Sequence, residues 1–97
     1  MVEANSKPDA HADPLPRVDF ATFVLSLSHS AIVHLGEVPN PETGSVEANL
    51  PLARQTIDLI AMLEEKTRGN LTGDEERLVG QILFDLRMRY VELTKAK

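Results

Sequence analysis

Apolar residues recur along this chain at three-to-four-residue spacing in three places, and each place predicts a helix. The first covers residues 20–36, seventeen positions without one Asp, Glu, Lys or Arg. Wrapped at 100° per residue, Phe20, Val24, Leu27, Ala31 and Leu35 share one side. Ala21, Leu25 and Ile32 widen it in one direction, Phe23 and His34 in the other. What remains is a stripe of Thr22, Ser26, His29 and Val33, small or polar but uncharged. An ordinary surface helix presents Lys and Glu there. Asp19 stands where an N-cap belongs and Gly36 where the helix should end.

The second predicted helix, about 50–67, has Ala53, Ile57, Ile60 and Leu63 as its apolar stripe, flanked by Leu52, Leu59 and Met62. Asn49 is its expected cap, Pro51 is tolerated in the first turn, and Gly69 closes it. Arg54 with Asp58 and Glu64 with Arg68 are expected i,i+4 pairs on the wet side, worth only tenths of a kcal/mol each. The third helix, about 73–94, opens on the T-x-x-E capping box of Thr72 and Glu75. Leu78, Val79, Ile82, Leu83, Leu86, Tyr90 and Leu93 carry its apolar face, and Asp85 is spaced to pair with Arg89. Gly80 inside this helix costs about 1 kcal/mol relative to Ala, which predicts a neighbouring backbone at close range.

With no alternating strand pattern, the expected fold is all-α. The second and third helices form a hairpin across the turn at residues 68–71, and the first packs along their groove. The first and second are joined by a structured loop, residues 36–49, in which Pro39 and Pro41 stiffen the backbone and Gly44 supplies a positive φ. At about 14 residues it is long for a link between packed helices, so it is expected to be functional or to wrap a neighbour.

Composition changes this picture in one respect. The 97 residues allow one domain. Residues 1–17 hold three prolines and no aromatic side chain and are expected to form a disordered acidic arm. The remaining domain, 18–97, is near the size at which a lone hydrophobic core becomes marginal. Cysteine is absent, so neither disulfides nor thiolate metal sites can compensate. The expected remedy is association with a second copy.

Charge narrows the partners. The net charge of −5 resides entirely in residues 1–49, while residues 50–97 sum to zero. No basic face suits nucleic acid, and an acidic arm repels anionic lipid. As a helix, residues 20–36 span about 26 Å, short of a ~30 Å hydrocarbon layer, and carry Thr22, Ser26, Ser28, His29, Ser30 and His34, a costly load in lipid. The N-terminus lacks a secretory pattern. A soluble cytoplasmic protein is expected, with no nucleic-acid or membrane partner.

Candidate chemistry is sparse. His29 and His34 are five apart, 140° around a helix, whereas paired metal ligands sit four apart. Each imidazole is expected to hydrogen-bond across a helix interface. Ser26, Ser28 and Ser30 are mid-helix, without the base or sharp turn of a nucleophile, and read as small residues that let helices approach. Arg87, Arg89 and Tyr90 offer an anion contact, for which local pairing is the simpler account. Glu64 and Glu65, near Asp74, Glu75 and Glu76, form a solvated acidic corner. No catalytic, metal or cofactor residue is assigned, and no cofactor is expected.

The blocks F-x-x-F-x-L-S-L-S at residues 20–28, HLGEVPNPETG at 34–44, NL-x-x-A-R-Q-T-I-D at 49–58, KTRGNLT at 66–72 and LRMRYVE at 86–92 together resemble the bacterial domain-of-unknown-function 1844 family. The resemblance covers about residues 19–93. It implies a small bacterial, cytoplasmic, helical protein and brings no activity with it.

The expected function is a non-enzymatic, homo-oligomeric structural or adaptor module, a dimer or dimer of dimers. Its expected self-association surface is Phe20, Thr22, Phe23, Ser26, Leu27, His29, Ser30, Ile32 and Val33. Pro39, Asn40, Pro41, Glu42, Thr43 and Gly44 are the candidate loop for an unidentified protein partner. The alternatives are a helical binder of a small apolar or anionic ligand and, less favoured, an enzyme of unknown class.

Overall fold

The structure, a computed structural model, describes residues 18–95. The expected acidic arm, residues 1–17, lies outside them. Three helices follow in order, α1 (Phe20–His34), α2 (Leu50–Lys66) and α3 (Gly73–Lys95), with no strand among the described residues. The fold is all-α. Each helix touches both others, α1 and α2 most extensively.

The helix ends form as their chemistry dictates. The Asp19 carboxylate accepts from the Thr22 backbone N–H at 2.8 Å, and the Asn49 side chain accepts from the Leu52 N–H at 3.1 Å. At the start of α3 the capping box closes both ways. The Glu75 N–H donates to the Thr72 hydroxyl at 3.1 Å, and the Thr72 N–H donates to the Glu75 carboxylate at 2.9 Å. The hydrogen bond from the Thr22 N–H holds the Asp19 pKa below its ordinary value. A depressed folded-state pKa means that the cap contributes fully above the unfolded carboxylate value and is lost as pH falls through the folded one. An NMR titration should therefore place the Asp19 midpoint below that of a free Asp, and Asp19→Asn should remove that part of the acid sensitivity. An unshifted midpoint would mean the cap is not formed in solution.

The core takes three residues from each helix. Val24, Ala31 and Leu35 from α1 and its end meet Ala53, Ile57 and Ile60 from α2 and Val79, Leu83 and Leu86 from α3. Phe20, Leu27, Ile32, Leu50, Ala61, Ile82, Tyr90 and Leu93 pack around it, partly covered. Thr56 is the buried polar side chain among the described residues, and its hydroxyl donates to the Leu52 carbonyl at 2.9 Å, which satisfies that donor.

Between α1 and α2 the chain leaves α1 through a left-handed glycine. Gly36 has φ +80°, its N–H donates to the Val33 carbonyl, and the Glu37 N–H reaches back to the Ile32 carbonyl, the pattern of a Schellman cap. The loop then returns to its origin, where the Asn49 N–H donates to the His34 carbonyl at 2.7 Å. Arg89 ties the loop to α3, donating to Glu37 and, at 2.9 Å, to Asp85. Asp85 first and Glu37 second hold its guanidinium even more firmly protonated than usual.

Two expectations need correction. Among the described residues Gly80 has no neighbour within 4 Å of where a Cβ would sit, so none of them explains it. The wet-side pairs of α2 do not form either, since the ion pairs among the described residues are Asp74–Arg77, Glu37–Arg89 and Asp85–Arg89.

Candidate interaction surfaces

On α1 the core side is set by Val24, Ala31 and Leu35, and the Thr22–Ser26–His29–Val33 stripe therefore points the other way. Thr22, Ser26, His29 and Ser30 are exposed, and the flanking Phe23 and Leu25 are 46% and 50% exposed. Of the other residues expected in a self-association surface, Phe20, Leu27 and Ile32 pack partly against the chain's own core. Val33 is 7% exposed, although it lies on the outer side. It shares a shallow hollow with His29, Ser30 and His34 of α1 and with Asn40, Pro41 and Glu42 of the loop. The loop thus covers one end of the uncharged face and leaves the rest open.

The loop itself is tightly hydrogen-bonded. The Asn40 N–H donates to the Ser45 carbonyl at 2.9 Å and the Gly44 N–H to the Asn40 carbonyl at 2.7 Å. The Asn40 side chain accepts from the Glu42 N–H at 2.8 Å, an Asx turn. Thr43, Ser45 and Glu47 continue the network, the Ser45 hydroxyl donating to Glu47 at 3.0 Å. Gly44 adopts the expected positive φ, +75°. Pro39, Pro41, Glu42, Thr43 and Gly44 are exposed and Asn40 is half-buried, so the segment is a shaped, accessible tip.

A further exposed surface lies outside the residues singled out from sequence. Phe84, Met88 and Val91 of α3 are 68%, 47% and 47% exposed. With Gly80, Arg87 and Glu64 they line an open groove of about 350 Å³ between α2 and α3. The groove continues past Arg54, Asp58, Ile57 and Tyr90. The run Gly80, Phe84, Arg87, Val91 has the spacing of a helical seam, and this was the sequence signal that could have found it.

The remaining candidates do not converge. His29 is exposed and His34 half-buried, and neither side chain takes part in a hydrogen bond among the described residues. Ser28 donates to the Leu25 carbonyl within its own helix at 3.0 Å. Arg89 is taken up by Asp85 and Glu37. No three His, Cys, Asp or Glu side chains among the described residues are grouped to hold a metal ion. No helix among them is long and apolar enough to cross a membrane.

These observations define a small all-α domain with a helical hairpin of α2 and α3, a helix α1 whose outer side is uncharged, and a preshaped loop. The family model for a domain of unknown function (DUF1844) matches residues 17–92, and the chain belongs to that family. No curated protein and no solved structure matches the chain.

Proposed function

We propose that this chain is a non-enzymatic, homo-oligomeric interaction module of the bacterial cytoplasm, in which the outer faces of α1 meet across a two-fold axis. The assembled helices then present the loop tip from Pro39 to Gly44 to a protein partner. The observation that carries this reading is the exposed, charge-free face of Thr22, Ser26, His29 and Ser30 beside half-exposed Phe23 and Leu25. Desolvating hydroxyls and an imidazole costs far less than desolvating the Lys and Glu of a normal surface. Small side chains also let two helices come close.

A small-ligand site is less well supported, because the grooves are open troughs and ligand sites enclose most of their ligand. Catalysis has less support again, since Ser30 shares a hollow with His29 and His34 but no serine hydroxyl hydrogen-bonds an imidazole among the described residues, and Ser28 donates within its own helix.

The reading is tested with Ser26→Glu. Sedimentation equilibrium at micromolar concentration should show loss of the α1-mediated association, because two carboxylates would be desolvated beside each other at the axis. Ser26 is exposed within its own chain, so the helical circular dichroism should be unchanged. An unaltered mass would remove α1 as the interface.

A further inference from the structure

We propose that the α2–α3 groove is a second self-association surface, occupied by the same groove of another copy with the two α3 helices antiparallel. It is separate from the α1 face, since its lining comes from α2 and α3 alone. Where both surfaces are used, two isologous contacts on different faces build a dimer of dimers.

Three observations converge on a second copy as the occupant. Gly80 sits in mid-helix with no described residue within 4 Å of an added Cβ, a destabilising choice of about 1 kcal/mol for which the described residues supply no internal reason. It begins the seam that continues through Phe84 and Val91, both largely uncovered. The charges are also divided by end. Glu64 lies in the part of the groove that holds Gly80 and Arg54, with one acid, Asp58, in the part that holds Tyr90, while Arg87 and Val91 line both.

A two-fold axis between Asp85 and Leu86 exchanges those ends. It sets Gly80 of one copy against Val91 of the other, so the smallest residue of the seam meets a bulkier one. Phe84 comes to lie against Arg87 and Met88, offering cation–π and sulfur–aromatic contacts. The Glu64 end of each groove meets the Arg54 end of its mate. A partner with charge of one sign would leave one end unpaired, whereas a copy of this chain matches both.

The experiment is sedimentation equilibrium on the full chain with wild type, Phe84→Glu, Glu64→Arg, and the exchanged pair Glu64→Arg with Arg54→Glu. Phe84 is mostly exposed, so its replacement should leave the monomer folded, which circular dichroism checks. Phe84→Glu should halve the wild-type mass. Glu64→Arg should weaken the same step roughly tenfold and the exchanged pair should recover it.

Ser26→Glu, run beside them, reports on α1 alone. If only the α1 reading fails, the wild type is a dimer that Ser26→Glu leaves intact and Phe84→Glu dissolves. A monomeric wild type, a mass indifferent to Phe84→Glu, or a charge exchange that does not rescue would each overturn the proposal. So would monomers from both Ser26→Glu and Phe84→Glu, because the two faces would then bind each other head to tail. Saturable binding of a fatty acid in the groove, lost in Phe84→Glu with mass unchanged, would replace the second copy by a small ligand.

Discussion

Ile60→Ala should cost about 2–5 kcal/mol, the range for removing a buried Ile side chain and leaving a partly collapsed cavity. Ile60 has no exposed surface and lies in the core among Ala53, Ile57, Val79, Leu83 and Leu86. A domain of this size has about 4–12 kcal/mol in total. With nine buried core residues, three from each helix, there is little redundancy. At about 4–8 °C per kcal/mol, the loss should lower Tm by roughly 8 °C or more. Val46→Ala, at a loop position 58% exposed, should stay within about 0.5 kcal/mol. Both must be measured at one protein concentration, because association adds stability by mass action. A shift of only a degree or two for Ile60→Ala would mean that the three helices do not close around it in solution.

Local chemistry was legible in the sequence wherever it acts over one turn. Asp19, Asn49 and the Thr72–Glu75 box each bind the N–H their spacing predicts. Gly44 and Gly69 take the left-handed backbone expected of them. The core stripes also followed from the helical period, since Val24, Ala31, Leu35, Ile57, Ile60, Leu83 and Leu86 are all buried.

What periodicity cannot give is the azimuth of each neighbour. A helix with apolar residues around more than half its circumference has several faces that could be the inner one. Leu52, Leu59 and Met62 were grouped with the stripe of α2, yet they are 37%, 43% and 45% exposed, because α1 and α3 contact the sector of Ala53, Ile57 and Ile60. Gly80 was legible as an anomaly but not as an open one. Pairing of Glu37 with Arg89, 52 residues apart, leaves no trace in local spacing. Burial of Val33 on the outer side of α1 depends on where the loop folds back, which is a tertiary event. The proposed self-association face is legible as a chemical oddity, a helix without charge, whereas the groove shows in sequence only as the spacing of Gly80, Phe84 and Val91, which the charges of Arg87 and Glu64 obscure.

Gly36→Ala should be the most damaging of the alanine substitutions at this chain's five glycines. The residue sits at φ +80°, where a Cβ costs about 1–2 kcal/mol. A second penalty comes from space. That Cβ would lie 3.0 Å from the Ala48 Cβ, 3.2 Å from its Cα and 3.3 Å from its nitrogen. Ala48 cannot step aside freely, because the next residue donates its N–H to the His34 carbonyl at 2.7 Å and caps α2 through its side chain. Relief would strain either the exit from α1 or the entry to α2. The expected loss is on the order of 2–4 kcal/mol. Gly44→Ala is the control, since it has a similar φ of +75° but nothing within 4 Å of an added Cβ. Its loss should be the conformational part alone, about 1–2 kcal/mol. Denaturation of both variants at one concentration separates the two causes. Equal losses would mean that Ala48 yields without cost, and that the loop is not clamped between the two helices it joins.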